Sequence, residues 1–129
     1  MITEDKKTIG LTDSGKATMD QMVEAFGFKR DMDAAKFAFA FAVEKGCEPG
    51  PTEGTGTIWN VGTLDEGGDL RTLIQNLYPQ TQFPYRALES LMNAGFGLLA
   101  TEMASVTGLR IENILQRAAE SAKSSEAGR

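Results

Sequence analysis

Apolar residues in the first part of the chain follow two different rhythms. The alternation in Thr8-Ile9-Gly10-Leu11-Thr12 predicts a short strand within Lys6 to Thr12, with Ile9 and Leu11 on one face. Met19, Met22, Val23 and Phe26 then fall at i, i+3, i+4 and i+7, opposite Lys16, Asp20 and Glu24, which predicts an amphipathic helix over Asp13 to Phe26. Thr12 or Asp13 suits the amides of its first turn, and Gly27 suits a left-handed stop. A basic turn, Gly27-Phe28-Lys29-Arg30, leads to a second helix from Asp31 to Lys45, capped by Asp31 or Asp33 and closed by Gly46. Between Ala34 and Val43 only Lys36 is polar. Phe37, Phe39 and Phe41 alternate as on a strand, but the alanines are strong helix formers and the aspartate caps agree with them. A helix apolar on every side is expected to be buried on every side. Its small stripe, Ala34, Ala38 and Ala42, predicts a close helix neighbour and a dimer seam.

From Cys47 to Gly68 the pattern breaks. Pro49, Pro51 and six glycines mark turns, and Thr57 to Val61 reads as one short strand that carries the only tryptophan, Trp59. Beyond it Leu70, Leu73, Ile74 and Leu77 form a helical stripe that ends before Pro79. Pro84 then suits the first turn of a longer helix carrying Leu88, Leu91, Met92, Gly95, Leu98, Leu99 and Met103. Gly95 and Gly97 inside that helix predict the close approach of another backbone. Gly108 breaks or kinks the chain, and Ile111, Ile114, Leu115 and Ala118 predict a last helix before a frayed tail at 124–129. The expected architecture is mainly α in a single domain over 1–129. It has a strand-helix-helix unit at 6–46, an acidic glycine-rich link at 47–69 with one short strand, and a helical extension of two or three helices at 70–123.

Composition narrows the functions. With no histidine and a single cysteine, Cys47, beside Glu48, no Ser-His or Cys-His nucleophile can be assembled, so no catalytic residue is assigned and the protein reads as a non-enzyme. The same two counts leave no metal site and no intramolecular disulfide, and no cofactor is expected. The net charge of −5 is concentrated in 47–69, where Glu48, Glu53, Asp65, Glu66 and Asp69 meet no base. Those acids lack the spacing of a calcium loop, and no glycine there leads into Lys-Ser or Lys-Thr as a phosphate loop requires. They are expected to point to water, with Trp59 at least half buried by the C-terminal helices. No apolar run is long enough to span a membrane and the N-terminus does not read as a secretory signal, so a cytoplasmic protein is expected.

Residues 6–46 resemble the ribbon-helix-helix superfamily, through Thr8 to Thr12, the Gly27 to Arg30 turn, and Ala34 to Gly46. In that family two strands pair across a dimer and enter the major groove as a ribbon. The resemblance implies DNA contact by Lys6, Lys7, Thr8, Gly10 and Thr12 on the strand, and a phosphate held by Lys29, Arg30 and the amides opening the second helix. It also implies an oligomer interface of Ile9, Leu11, Ala34, Phe37, Ala38, Phe41 and Ala42. A narrower likeness is to the small E-type subunit of DNA phosphorothioation (Dnd) systems. It rests on the Ala- and Phe-rich second helix, Asp69-Leu70-Arg71-Thr72-Leu73, and Asn93 to Leu99. The partners expected are a second copy of the chain as homodimer or higher, double-stranded DNA, and a larger protein subunit. The alternative is a protein-protein or scaffold module that makes no direct DNA contact, which the acidic link favours.

Overall fold

The computed structural model describes residues 4–108, so the helix expected over Ile111 to Ala118 and the tail at 124–129 lie outside the described residues. The chain divides into two compact units, Met1–Leu98 and Leu99–Arg129. Among the described residues, the first unit holds both strands and every helix except the C-terminal part of the last.

The described residues are mainly helical, with one two-stranded antiparallel sheet. Their order is β1 (Thr8–Leu11), α1 (Asp13–Phe26), α2 (Asp31–Glu44), β2 (Gly56–Asn60), α3 (Val61–Leu64), α4 (Asp69–Leu77) and α5 (Pro84–Gly108). The local chemistry at the ends of α1 acts as its residue types dictate. The Thr12 hydroxyl accepts from the Gly15 amide at 3.0 Å, and Gly27 closes the helix at φ 70°, where a side chain would be strained. At α2 neither aspartate caps, which corrects the expectation for Asp31 and Asp33. Arg30 occupies the cap position, and no side chain bonds the first amides.

β1 pairs within its own chain. Thr8 faces Asn60 and Ile9 faces Trp59, and then the register slips by one so that Gly10 faces Thr57. Gly10 is required at that bulge, because a Cβ would stand 2.7 Å from the Gly56 carbonyl oxygen. Ile9 and Leu11 face inward onto a core that includes Met19, Met22, Leu64 and Ile74, with Leu88, Leu91, Met92 and Phe96 from α5.

The alanine stripe finds its close neighbour inside the same chain. A Cβ at Gly95 would lie 1.9 Å from the carbonyl oxygen of Ala38, so α2 and α5 cross with backbones almost touching. Ala34, Ala38 and Ala42 have no exposed surface, and the dimer seam expected there is instead an intramolecular helix crossing. Nor is α2 buried on every side, since Phe37 is 47 % exposed and Ala40 lies open beside it.

The link is tied down more firmly than its composition suggests. Trp59 is buried, opposite Ile9 of β1 and with its indole N–H donating to Asp31 of α2 at 3.3 Å, whereas the expectation assigned its cover to the C-terminal helices. Glu48, Glu53, Glu66 and Asp69 are exposed, but Asp65 is only 6 % exposed. Its carboxylate accepts from the Leu70 amide at 2.8 Å, the Arg71 amide at 3.1 Å and the Tyr85 hydroxyl at 2.9 Å. Asp65 therefore caps α4 from outside the helix, and the expectation that all five acids point to water is corrected at this residue. Burial, then this hydrogen bond to Asp65, raises the Tyr85 phenol above its ordinary value. Asp65→Ala is expected to lower stability by about 2 kcal/mol, from the lost cap and the stranded phenol. Neutralising Glu48, Glu53 and Glu66 together is expected to stay within about 0.5 kcal/mol of wild type, and urea titration of both variants checks the contrast.

Candidate nucleic-acid interface

The strand and the α1–α2 turn are the two places where the sequence expects DNA. On the strand, alternation puts Lys6, Thr8, Gly10 and Thr12 opposite the core-facing Ile9 and Leu11. The structure commits most of that set to the fold. Lys6 Nζ lies 2.5 Å from the Glu89 carboxylate, with its side chain 22 % exposed. The Gly10 amide donates to the same carboxylate oxygen at 2.8 Å, and the Gly10 carbonyl accepts from Asn93 Nδ2 at 3.1 Å. The Thr12 amide donates to Asn93 Oδ1 at 2.9 Å, and the Thr12 hydroxyl is the cap of α1. Thr8 is half-buried, its hydroxyl 3.5 Å from that of Thr57.

β1 is thus closed on both edges, by β2 on one and by side chains of α5 on the other. A helix laid over an exposed sheet edge removes it as a template for another strand. Pairing of β1 with the same strand of a second copy would have to displace Glu89 and Asn93 at Gly10 and Thr12. Lys6, Gly10 and Thr12, expected on the DNA face, are therefore engaged by α5 within the fold. Lys7 alone of the strand's cations stays exposed, in a shallow depression of about 510 Å³ that it shares with Arg71 and Gln82.

Sequence reasoning missed the residues that close this edge. Glu89 and Asn93 stand four apart among the apolar residues Ala87, Leu88, Leu91 and Met92, and one turn earlier the Tyr85 and Arg86 amides donate to the Asp5 carboxylate at 2.8 and 3.1 Å. The signal was the i, i+4 polar spacing within an apolar stripe, which marks one face of α5 as the partner of a polar backbone.

The turn behaves differently. Phe28, Lys29 and Arg30 connect Gly27 to α2, and both cations are exposed. The two acids that open α2 are occupied elsewhere, Asp31 by Trp59 and Asp33 by Arg30 at 3.0 Å. The hydrogen bond from Arg30 holds the Asp33 carboxyl below its usual range. An α-helix presents unsatisfied amides and a partial positive charge at this end, and here no side chain covers them. Arg30 and Lys36 also line a cleft of about 270 Å³ together with Asp65, Glu66 and Asp69.

Of the residues expected at an oligomer interface, Ile9, Leu11, Ala34, Ala38 and Ala42 are buried within the chain and cannot meet a second copy in this fold. Phe37 and Phe41 do reach the surface, Phe37 openly and Phe41 in part, beside the partly buried Phe28. Their rings run in a row, Phe28 to Phe37 at 6.0 Å and Phe37 to Phe41 at 6.4 Å, and Lys45 Nζ lies 5.3 Å from the Phe41 ring centre.

Among the described residues no helix is long and apolar enough to cross a membrane. No protein-family model, no curated protein and no solved structure matches this chain.

Proposed function

We propose that this is a non-enzymatic DNA-associated protein that holds duplex backbone phosphates at the α1–α2 turn, with the chain order of a ribbon-helix-helix unit but without a free ribbon. The observation that supports it is the exposed Lys29 and Arg30 at an α2 N-terminus that carries no side-chain cap. The amides, the helix dipole and Lys29 favour an anion there, and Arg30 can add a contact by giving up its bond to Asp33, while the Asp31 and Asp33 carboxylates work against it. Phosphate contacts of this kind set position and affinity but carry little sequence information.

The test is fluorescence anisotropy of random duplexes across a salt series. Lys29→Glu with Arg30→Glu is expected to weaken binding at least about tenfold, equally for every sequence. The slope of log affinity against log salt should fall by about 2, one for each lost phosphate contact. Unchanged binding in the double variant would remove the turn from the interface and leave Lys7 and Arg71 as the basic alternative.

A second reading, a protein-protein module within a larger assembly, is favoured by the exposed Leu73 and Leu77, one turn apart on α4. Light scattering that shows self-association abolished by Leu73→Ser and Leu77→Ser, with no duplex binding at low salt, would select it.

A further inference from the structure

The row of phenylalanine rings on α2 is not explained by the fold. Phe37 is 47 % exposed on a helix whose other side is packed, and its plane lies within 24° of Phe41. Phe28 and Phe41 on either side of Phe37 are partly buried, so the row shows solvent one open ring and two partial ones, and aromatic surface left in water marks a contact surface.

The charges around the row indicate what it contacts. Lys29 follows Phe28 directly, and Lys45 stands over Phe41. Neither enters an ion pair among the described residues. Asp33, one turn before Phe37, is neutralised by Arg30, which leaves Glu44 as the acid one turn after Ala40 and Phe41. The row therefore has a positive balance on a chain whose net charge is −5. A second copy would bring the same unpaired cations into one contact. The complementary partner is flat, aromatic and negative.

We propose that Phe28, Phe37 and Phe41 stack the unpaired bases of a single-stranded nucleic acid while Lys29 and Lys45 meet its phosphates. Exposed aromatic platforms flanked by cations serve single strands because every base has a π face, whereas a duplex hides those faces in its own stack. The inference rests on the nucleic-acid reading above and deepens it, because it adds a base-stacking row that adjoins the phosphate site at the head of α2 and shares Lys29 with it.

The experiment compares three probes by anisotropy at one salt concentration: an oligothymidylate, an abasic strand of equal length and charge, and a random duplex. The oligothymidylate is expected to bind about tenfold or more tightly than the abasic strand. Phe37→Ala and Phe41→Ala should each lower its affinity about tenfold and leave duplex binding unchanged, and Phe37→Trp should restore it. Circular dichroism melts of the alanine variants establish that the fold survives. Equal binding of the abasic strand, or indifference of oligothymidylate affinity to both alanine variants, overturns the stacking row. If duplex binding still depends on Lys29 and Arg30 in that case, only this inference fails. If no probe binds at low salt, the nucleic-acid reading fails with it. Conversion of an oligomer to a monomer by Phe37→Ala, without change in oligothymidylate affinity, assigns the row to self-contact and also overturns the proposal.

Discussion

Gly95→Ala is expected to destabilise the protein by about 3 kcal/mol, although alanine is the better helix former. The intrinsic preference favours alanine over glycine by about 1 kcal/mol in a helix interior. Against it stands a Cβ placed 1.9 Å from the Ala38 carbonyl oxygen and 2.6 Å from its carbon. Neither of those is the end of a flexible side chain, so no rotamer change relieves the clash and α2 must move away from α5. Overpacking a dense core costs about 1–3 kcal/mol when side chains can adjust, and more when backbone must shift. Gly97 provides the internal control. A Cβ there meets nothing within 4 Å, so Gly97→Ala should raise stability by about 0.5–1 kcal/mol. Urea unfolding of the two variants should therefore move in opposite directions, two residues apart on one helix. A Gly95→Ala protein as stable as wild type would mean that α2 and α5 do not cross at this point.

Glu89→Ala should have the next largest effect. Glu89 is 4 % exposed, and its carboxylate accepts from both Lys6 Nζ and the Gly10 amide. Removing it strands a backbone donor inside the fold and a cation at its margin. Breaking a fully buried pair from one side costs about 3–5 kcal/mol. Lys6 keeps some access to water, which reduces the cost to about 2–4 kcal/mol. Glu89→Gln can still accept from Gly10, so it should lose only part of this. Hydrogen exchange locates the damage: the Gly10 amide should lose protection in Glu89→Ala while amides in the middle of α1 keep theirs. Uniform loss across the chain would mean that Glu89 supports the whole core rather than the edge of β1.

The sequence could reveal elements whose limits are set by neighbours along the chain. Thr12 and Gly27 bound α1 because a hydroxyl and a left-handed residue act on backbone three or four positions away. Pro84 opens α5 for the same kind of reason. The alanine stripe and the pair Gly95 and Gly97 each predicted a close backbone, but nothing in either segment says which backbone; Ala38 and Gly95 answer each other, while a Cβ at Gly97 would meet nothing within 4 Å. Asp65 reads as a solvated acid because charge usually goes to water; its partners Leu70, Arg71 and Tyr85 come together only once α4 and α5 are placed. At the candidate site the exposed Lys29 and Arg30 were legible because Gly27 and Asp31 punctuate their turn locally. Lys6 was misread because its use depends on Glu89, 83 positions along the chain.

The same clasp has a consequence for the order in which the chain is made. Gly10 and Thr12 reach their partners Glu89 and Asn93 across separations of 79 to 83 residues. At about 5–20 residues per second, a nascent chain leaves the ribosome with that edge of β1 open for roughly 4–16 s before α5 is complete. Partial chains ending within the acidic link would hold β1 and α1 but neither residue that covers the strand. Such fragments should pair edge to edge and deposit where the longer chain stays dispersed, and a library of stop codons placed on either side of Asn93 would show the boundary as a step in recovered soluble protein.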